Sequence, residues 1–165
     1  TRWTRKNPPN YVERSHALLG RTVDTGRVWD VAAAAKYLAT QRRADQTAGP
    51  ATVVVAGKGA AGLIAAYAAI WTPEIAQVTL ISPPATHMDA TAPQFLNVLR
   101  VCDVPEALGL VAPRPLTIVG SLADPFDATS AAYKAGGVRE RLNFRSPAPA
   151  DEDSVRGTPK HTPAQ

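Results

Sequence analysis

The sequence predicts an incomplete α/β domain, with about four mainly parallel strands joined by crossover helices. Two observations predict it. Short runs rich in β-branched residues at 52–56, 78–82 and 115–120, with a weaker strand pattern at 141–145, alternate with helical patterns. That alternation implies right-handed βαβ crossovers and a parallel sheet. A glycine-rich turn, Gly57-Lys58-Gly59-Ala60-Ala61-Gly62, also stands where the first strand gives way to a helix.

Residues 1–28 show no clean period, and Asn7-Pro8-Pro9-Asn10 reads as a turn or extended segment, so this stretch is expected to be an arm. Asp30 opens a helical pattern and is expected to cap it. Val31, Ala34, Ala35 and Leu38 follow at helical spacing as its apolar face, and Arg42-Arg43 suit its C-terminal dipole. Thr52 to Ala56 reads as a strand buried on both faces. The next helix runs from about Ala60 to Trp71, with Leu63, Ile64, Tyr67, Ala68 and Trp71 on one side and Pro73 as its stop. Beyond the second strand, short helices are expected near 94–100 and 105–110. A longer one at 126–135 ends at Gly136-Gly137. Residues 29–145 thus form the domain. The tail, 146–165, is rich in proline and poor in apolar residues and reads as flexible.

Composition narrows the function classes. The 165 residues suffice for one domain, and 45% are hydrophobic, so a core is expected. The net charge of +4 is scattered over Arg2, Arg5, Lys6, Arg14, Arg42, Arg43, Arg139, Arg141 and Arg145. No RNA-binding motif or zinc-finger spacing accompanies it, so no nucleic-acid partner is expected. The basic N-terminal segment suits docking on an acidic partner or a membrane surface. The single cysteine, Cys102, supports neither a disulfide framework nor a thiolate metal site and reads as a small buried hydrophobe. No apolar run approaches the ~20 residues that span a bilayer, and no signal peptide is visible.

Two chemistries compete for the glycine turn. Gly57, Gly59 and Gly62 match G-x-G-x-x-G between a strand and a helix, the setting of a dinucleotide fingerprint. A pyrophosphate would approach the glycine backbone and the helix N-terminus. The fingerprint also asks for an acid at the end of the next strand, and Ser82-Pro83-Pro84 stands there. The alternative is a nucleophile elbow, a strained strand-to-helix turn. Gly59 then takes the nucleophile position and the Ala60 N–H serves as an oxyanion donor. Glycine offers no nucleophile.

Several stretches together resemble the α/β-hydrolase superfamily, in particular acetyl-xylan-esterase or dienelactone-hydrolase-like members of bacteria. They are Leu18-Leu19-Gly20-Arg21-Thr22 with Arg27-Val28-Trp29-Asp30-Val31, then Val53 to Ala69, Pro93 to Leu99, Asp103-Val104-Pro105-Glu106, and Ala112-Pro113-Arg114-Pro115-Leu116. The resemblance covers roughly residues 15–145 and implies the C-terminal half of such a fold. It implies that Asp124, after the third strand, matches the catalytic acid. It also implies a histidine after the last strand, where Arg145-Ser146-Pro147 stands instead. His161, in the tail, is the only later histidine, and a flexible tail places a base poorly. Losing a triad member costs on the order of 10⁴ to 10⁶ in rate.

The expectation is therefore a catalytically degenerate domain acting as a structural or binding subunit. Another chain or a second copy would cover its exposed sheet edge. An esterase lacking its N-terminal half and a dinucleotide-binding domain are the alternatives. No metal and no cofactor are expected in the leading reading. Thr86, His87 and Asp89 cluster at the carboxyl edge of the sheet, where ligands bind open α/β folds. With Asp124 they make a weak metal set, and a loop histidine is the simpler account. Asp124 equally fits a helix cap, Ser82 and Ser121 read as turn residues, and Trp3, Trp29 and Trp71 as core or interface anchors.

Overall fold

A computed structural model describes residues 11–44 and 52–146. It has a four-stranded sheet in the order β1-β2-β3-β4, and every pair is parallel. The strands are β1 Val53–Lys58, β2 Ile75–Ile81, β3 Leu116–Val119 and β4 Leu142–Arg145. Helices α1 Tyr11–Leu18 and α2 Val23–Ala44 precede the sheet. Helices α3 Ala60–Trp71, α4 Val104–Gly109 and α5 Asp127–Ala135 form the crossovers. The α/β class, the parallel pairing and the number of strands agree with the sequence expectation.

The strand order decides which face is covered. Each crossover advances one strand in the same direction, so right-handed connections put α3, α4 and α5 on one side. Burial alternates accordingly. Val78, Leu80, Leu116, Ile118 and Leu142 are buried against the helices. On the opposite face lie Val54, Ala56, Thr79, Thr117, Asn143 and Arg145, which share rows in register. No described helix covers that face, and Val54 is 52% exposed. The expectation that β1 is buried on both faces is therefore corrected: one-way crossovers leave one side without a layer.

The described part of the stretch expected to be an N-terminal arm is helical. It carries α1 from Tyr11 and the start of α2 at Val23. Thr22 explains that start, because its Oγ1 accepts from the Thr25 N–H at 3.0 Å and caps the helix about two turns before Asp30. Asp30 is interior to α2 and exposed. The buried face is Ala32, Ala35 and Ala39, with Val28 and Val31 partly buried, while Ala34 and Leu38 face outward. Small residues let α2 lie close on α3, whose Ala65, Ala66, Ala68 and Ala69 are likewise buried. Trp29 and Trp71 are 71% and 77% exposed and lie outside the core.

The C-terminal crossovers are pinned at specific atoms. A Cβ on Gly109 would stand 2.7 Å from that of Ala132, so α4 and α5 touch where α4 has no side chain. Thr129 Oγ1 donates to the Pro105 carbonyl and the Tyr133 hydroxyl to that of Arg114, both at 2.7 Å. Burial pushes the Tyr133 phenol well above its ordinary value, against a smaller opposing pull from Arg114.

Candidate functional site

The first three strands leave the sheet in the same way. The residue after each still donates its N–H to the neighbouring strand. Gly59 N donates to Ile81 O at 2.8 Å, Ser82 N to Val119 O at 2.7 Å, and Gly120 N to Arg145 O at 2.9 Å. Each of these residues then turns into positive φ, at 56°, 45° and 77° respectively. Three sharp exits thus line the carboxyl edge, where open α/β sheets hold their ligands.

The turn after β1 is the tightest. A Cβ on Gly57 would lie 2.5 Å from Gly62 N, and one on Gly62 would lie 2.6 Å from Gly57 O. Strand end and helix start are therefore in backbone contact, and neither position admits a side chain. Gly59 sits between them at φ 56° and ψ −130°, a conformation that L side chains rarely adopt. Nothing lies within 4 Å of where its Cβ would be. The geometry is that of a strained strand-turn-helix elbow with room above it. No side chain caps α3.

A cavity of about 640 Å³ opens beside this turn, lined by Ala60, by Arg14 and Arg21, by the Asp24–Arg27 pair, and by 90–94. The pair closes at 2.6 Å. Asp24 Oδ2 also accepts from Gln94 N at 2.8 Å, and Thr22 Oγ1 donates to Gln94 O at 2.6 Å. The start of α2 is thereby clamped to the loop that follows β2.

Asp124 opens a short 3₁₀ turn, Asp124–Phe126, after β3. It is exposed and makes no side-chain cap on that turn or on α5, so the cap expected there is corrected. The elbow cavity does not include it. His161 lies outside the described residues. The weak metal set dissolves as well: among the described residues no group of three metal-ligating side chains converges. Asp89 turns back to Thr91, whose N–H and hydroxyl both donate to its Oδ1 and hold its carboxyl below the ordinary value.

His87 is half-buried rather than a surface loop histidine. Its Nδ1 is 3.1 Å from the Pro93 carbonyl, which can only accept, so Nδ1 carries a proton. Its Nε2 is 2.8 Å from the Tyr67 hydroxyl, and in the neutral ring it accepts from that hydroxyl. The rings of Tyr67, His87 and Phe95 pack edge to face or tilted, at centroid distances of 4.7–5.7 Å. Burial, chiefly, pushes the Tyr67 phenol far up, with smaller contributions from Cys102 and Asp103. His87 N also donates to Asp103 Oδ1 at 2.7 Å, and the Thr86 hydroxyl donates to Asp103 Oδ2.

Asp103 also completes a capping box on α4, accepting from Val104 N at 2.8 Å while Glu106 accepts from Asp103 N at 3.1 Å. Partial burial pushes the Asp103 carboxyl up. The bonds from Thr86, His87 and Val104, with the His87 ring, outweigh it and hold the carboxyl below its ordinary value. His87 pins this corner: its ring, both nitrogens engaged, ties the β2 loop to α3, and its backbone N–H ties it to the cap of α4. Cys102 beside it is half-buried, and its thiol is pushed up first by burial and then by Glu106 and Asp103.

Sequence reading missed Tyr67, Phe95 and Asp103 as one cluster. The Asp103-Val104-Pro105-Glu106 capping pattern was the available signal for part of it. No family model, curated protein or solved structure matches the chain.

Proposed function

We propose that this chain is a catalytically degenerate α/β-hydrolase-like domain that works as a structural or binding subunit. The observation that carries the reading is Gly59: a strained elbow position, open above, with no nucleophile on it. The rest of the site agrees with that reading. Asp124 is exposed, and His87, the one histidine near the sheet's carboxyl edge among the described residues, has both ring nitrogens bonded elsewhere.

The binding role rests on the sheet. β1 pairs only with β2 among the described residues, so the N–H and C=O groups on its other side point outward. Val53 to Ala56 on that edge carry no charge and no proline, the usual guards of a natural edge strand. Another protein chain, or a second copy, would complete the pairing.

The test is the native mass of the chain isolated from its source, with fluorophosphonate labelling of the same sample. Migration inside a larger species without labelling is expected. A lone, stable monomer overturns the subunit role, and labelling or ester turnover reinstates the esterase alternative.

One observation favours a second reading. The Gly57–Gly62 contact and the space over Gly59 also suit a dinucleotide turn, whose third glycine allows close helix–strand packing. Against it, β2 ends in Ile81-Ser82 with no acid for a ribose. Thermal stabilisation by a dinucleotide, lost in Gly59→Val, would support it.

A further inference from the structure

Away from the elbow, a second cavity of about 510 Å³ lies between α2 and α3. On α2 its wall is the stripe Trp29, Ala32 and Lys36, at i, i+3 and i+7. On α3 the facing stripe is Tyr67, Ala68, Trp71 and the helix-capping Thr72. Phe95 closes one end, packed on Tyr67 at a ring-centroid distance of 4.7 Å. The two alanines, both buried, leave the room that the surrounding rings enclose.

Three features of this groove have no role in the fold described above. Both indoles, on different helices, are largely exposed, yet they line one cavity. Thr72 is fully buried, and its Oγ1 has no hydrogen-bond partner. Lys36 is the one charged side chain in the lining. A volume of this size, walled by aromatic rings with a few polar groups, has the make-up of a small-molecule site.

We propose that the α2–α3 groove binds a planar aromatic anion. The ring system would lie between Trp29 and Trp71 over the alanine floor, where aromatic faces gain beyond simple burial. The anionic group would face Lys36, the one charged side chain in the lining, while Thr72 Oγ1 is sealed beneath the floor and out of a ligand's reach. Tyr67 contributes its ring, because its hydroxyl is held by His87. The site shares no residue with the elbow cavity, so it stands whether or not that turn has a function.

The probe is 1-anilinonaphthalene-8-sulfonate, an anion built on a flat naphthalene ring. Its fluorescence is titrated with the full chain while near-ultraviolet circular dichroism reports that packing is retained. Saturable binding at one site per chain is expected. Trp29→Ala or Trp71→Ala weakens it about tenfold or more, because each removes one aromatic wall. Lys36→Gln weakens it about threefold, the worth of one modest polar contact. Thr72→Val should leave binding unchanged, because its hydroxyl is sealed from the groove, and should raise the melting temperature, since it removes a buried unpaired hydroxyl and keeps the shape. All the indole and lysine sites are exposed, so those variants should fold normally. Binding that never saturates, or that the Trp29, Trp71 and Lys36 variants leave unchanged, overturns the site. So does exclusion of the probe from the chain within its native assembly, which would make the groove a protein contact.

Discussion

The turn after β1 and the turn after β3 occupy equivalent places at the carboxyl edge of one sheet, yet they are built differently. At the first, Gly57 and Gly62 meet through their backbones and force Gly59 into a strained conformation. At the second, Gly120 has positive φ, but Leu122, Ala123 and Asp124 beyond it are exposed, and among the described residues no hydrogen bond holds the carboxylate. The elbow's shape is set by strand-to-helix packing, whatever chemistry the turn does or does not carry. Asp124 has no comparable packing role among the described residues.

The largest effect should come from breaking the glycine contact. Gly57→Ala places a Cβ against backbone atoms that cannot move aside, and a loss of about 3 kcal/mol or more is expected in denaturant unfolding. A near-neutral result would mean that the contact is loose and the elbow is not imposed by packing. Gly59→Ser tests strain alone, since its Cβ meets nothing. It should cost about 2 kcal/mol for the φ and stay unlabelled by fluorophosphonate, because no histidine among the described residues is placed to activate the hydroxyl.

The β2 turn lies between the two extremes. Asp103→Ala removes the α4 cap and the anchor of the His87 loop, at about 1–2 kcal/mol. The pH dependence has a definite sign. A carboxyl held below its ordinary value stabilises the fold above about pH 4 and releases that stability as pH falls through the folded value. Asp103→Asn should flatten the acid limb of a stability–pH curve. A wild-type curve that is already flat there would remove Asp103 from the account. Smallest of all, Asp124→Asn should stay within about 0.5 kcal/mol, as an exposed and unpartnered substitution does. A larger loss would show that the second turn is held after all.

Much of this fold was legible in the sequence because it rests on local patterns. The β-branched runs mark the first three strands, and the glycines mark the β1–α3 turn to within a residue of its observed limits. The start of α2 was not legible. Thr22 and Asp30 are both good caps on paper, and what favours Thr22 is its tie to Gln94 across 72 positions, a contact no local pattern carries. The same holds for the exposed face of the sheet. Val53-Val54-Val55 reads as doubly buried, and only the direction of successive crossovers shows that Val54 lacks a cover. At the candidate site, Gly57, Gly59 and Gly62 were visible because their role is backbone geometry. The Tyr67–His87–Asp103 network joins α3, a loop and α4, and only the folded chain brings them together.

The β1 edge, unpaired among the described residues, has a consequence for the life of the chain in a crowded cell. Three successive valines on such an edge are a template for cross-β growth. If a partner covers that edge, as proposed, molecules made in surplus over it would pair with one another. Concentrated samples should then gain thioflavin-positive material that a lysine at position 54 or 56 suppresses. Synthesis of this chain would in that case have to be matched to the supply of its cover.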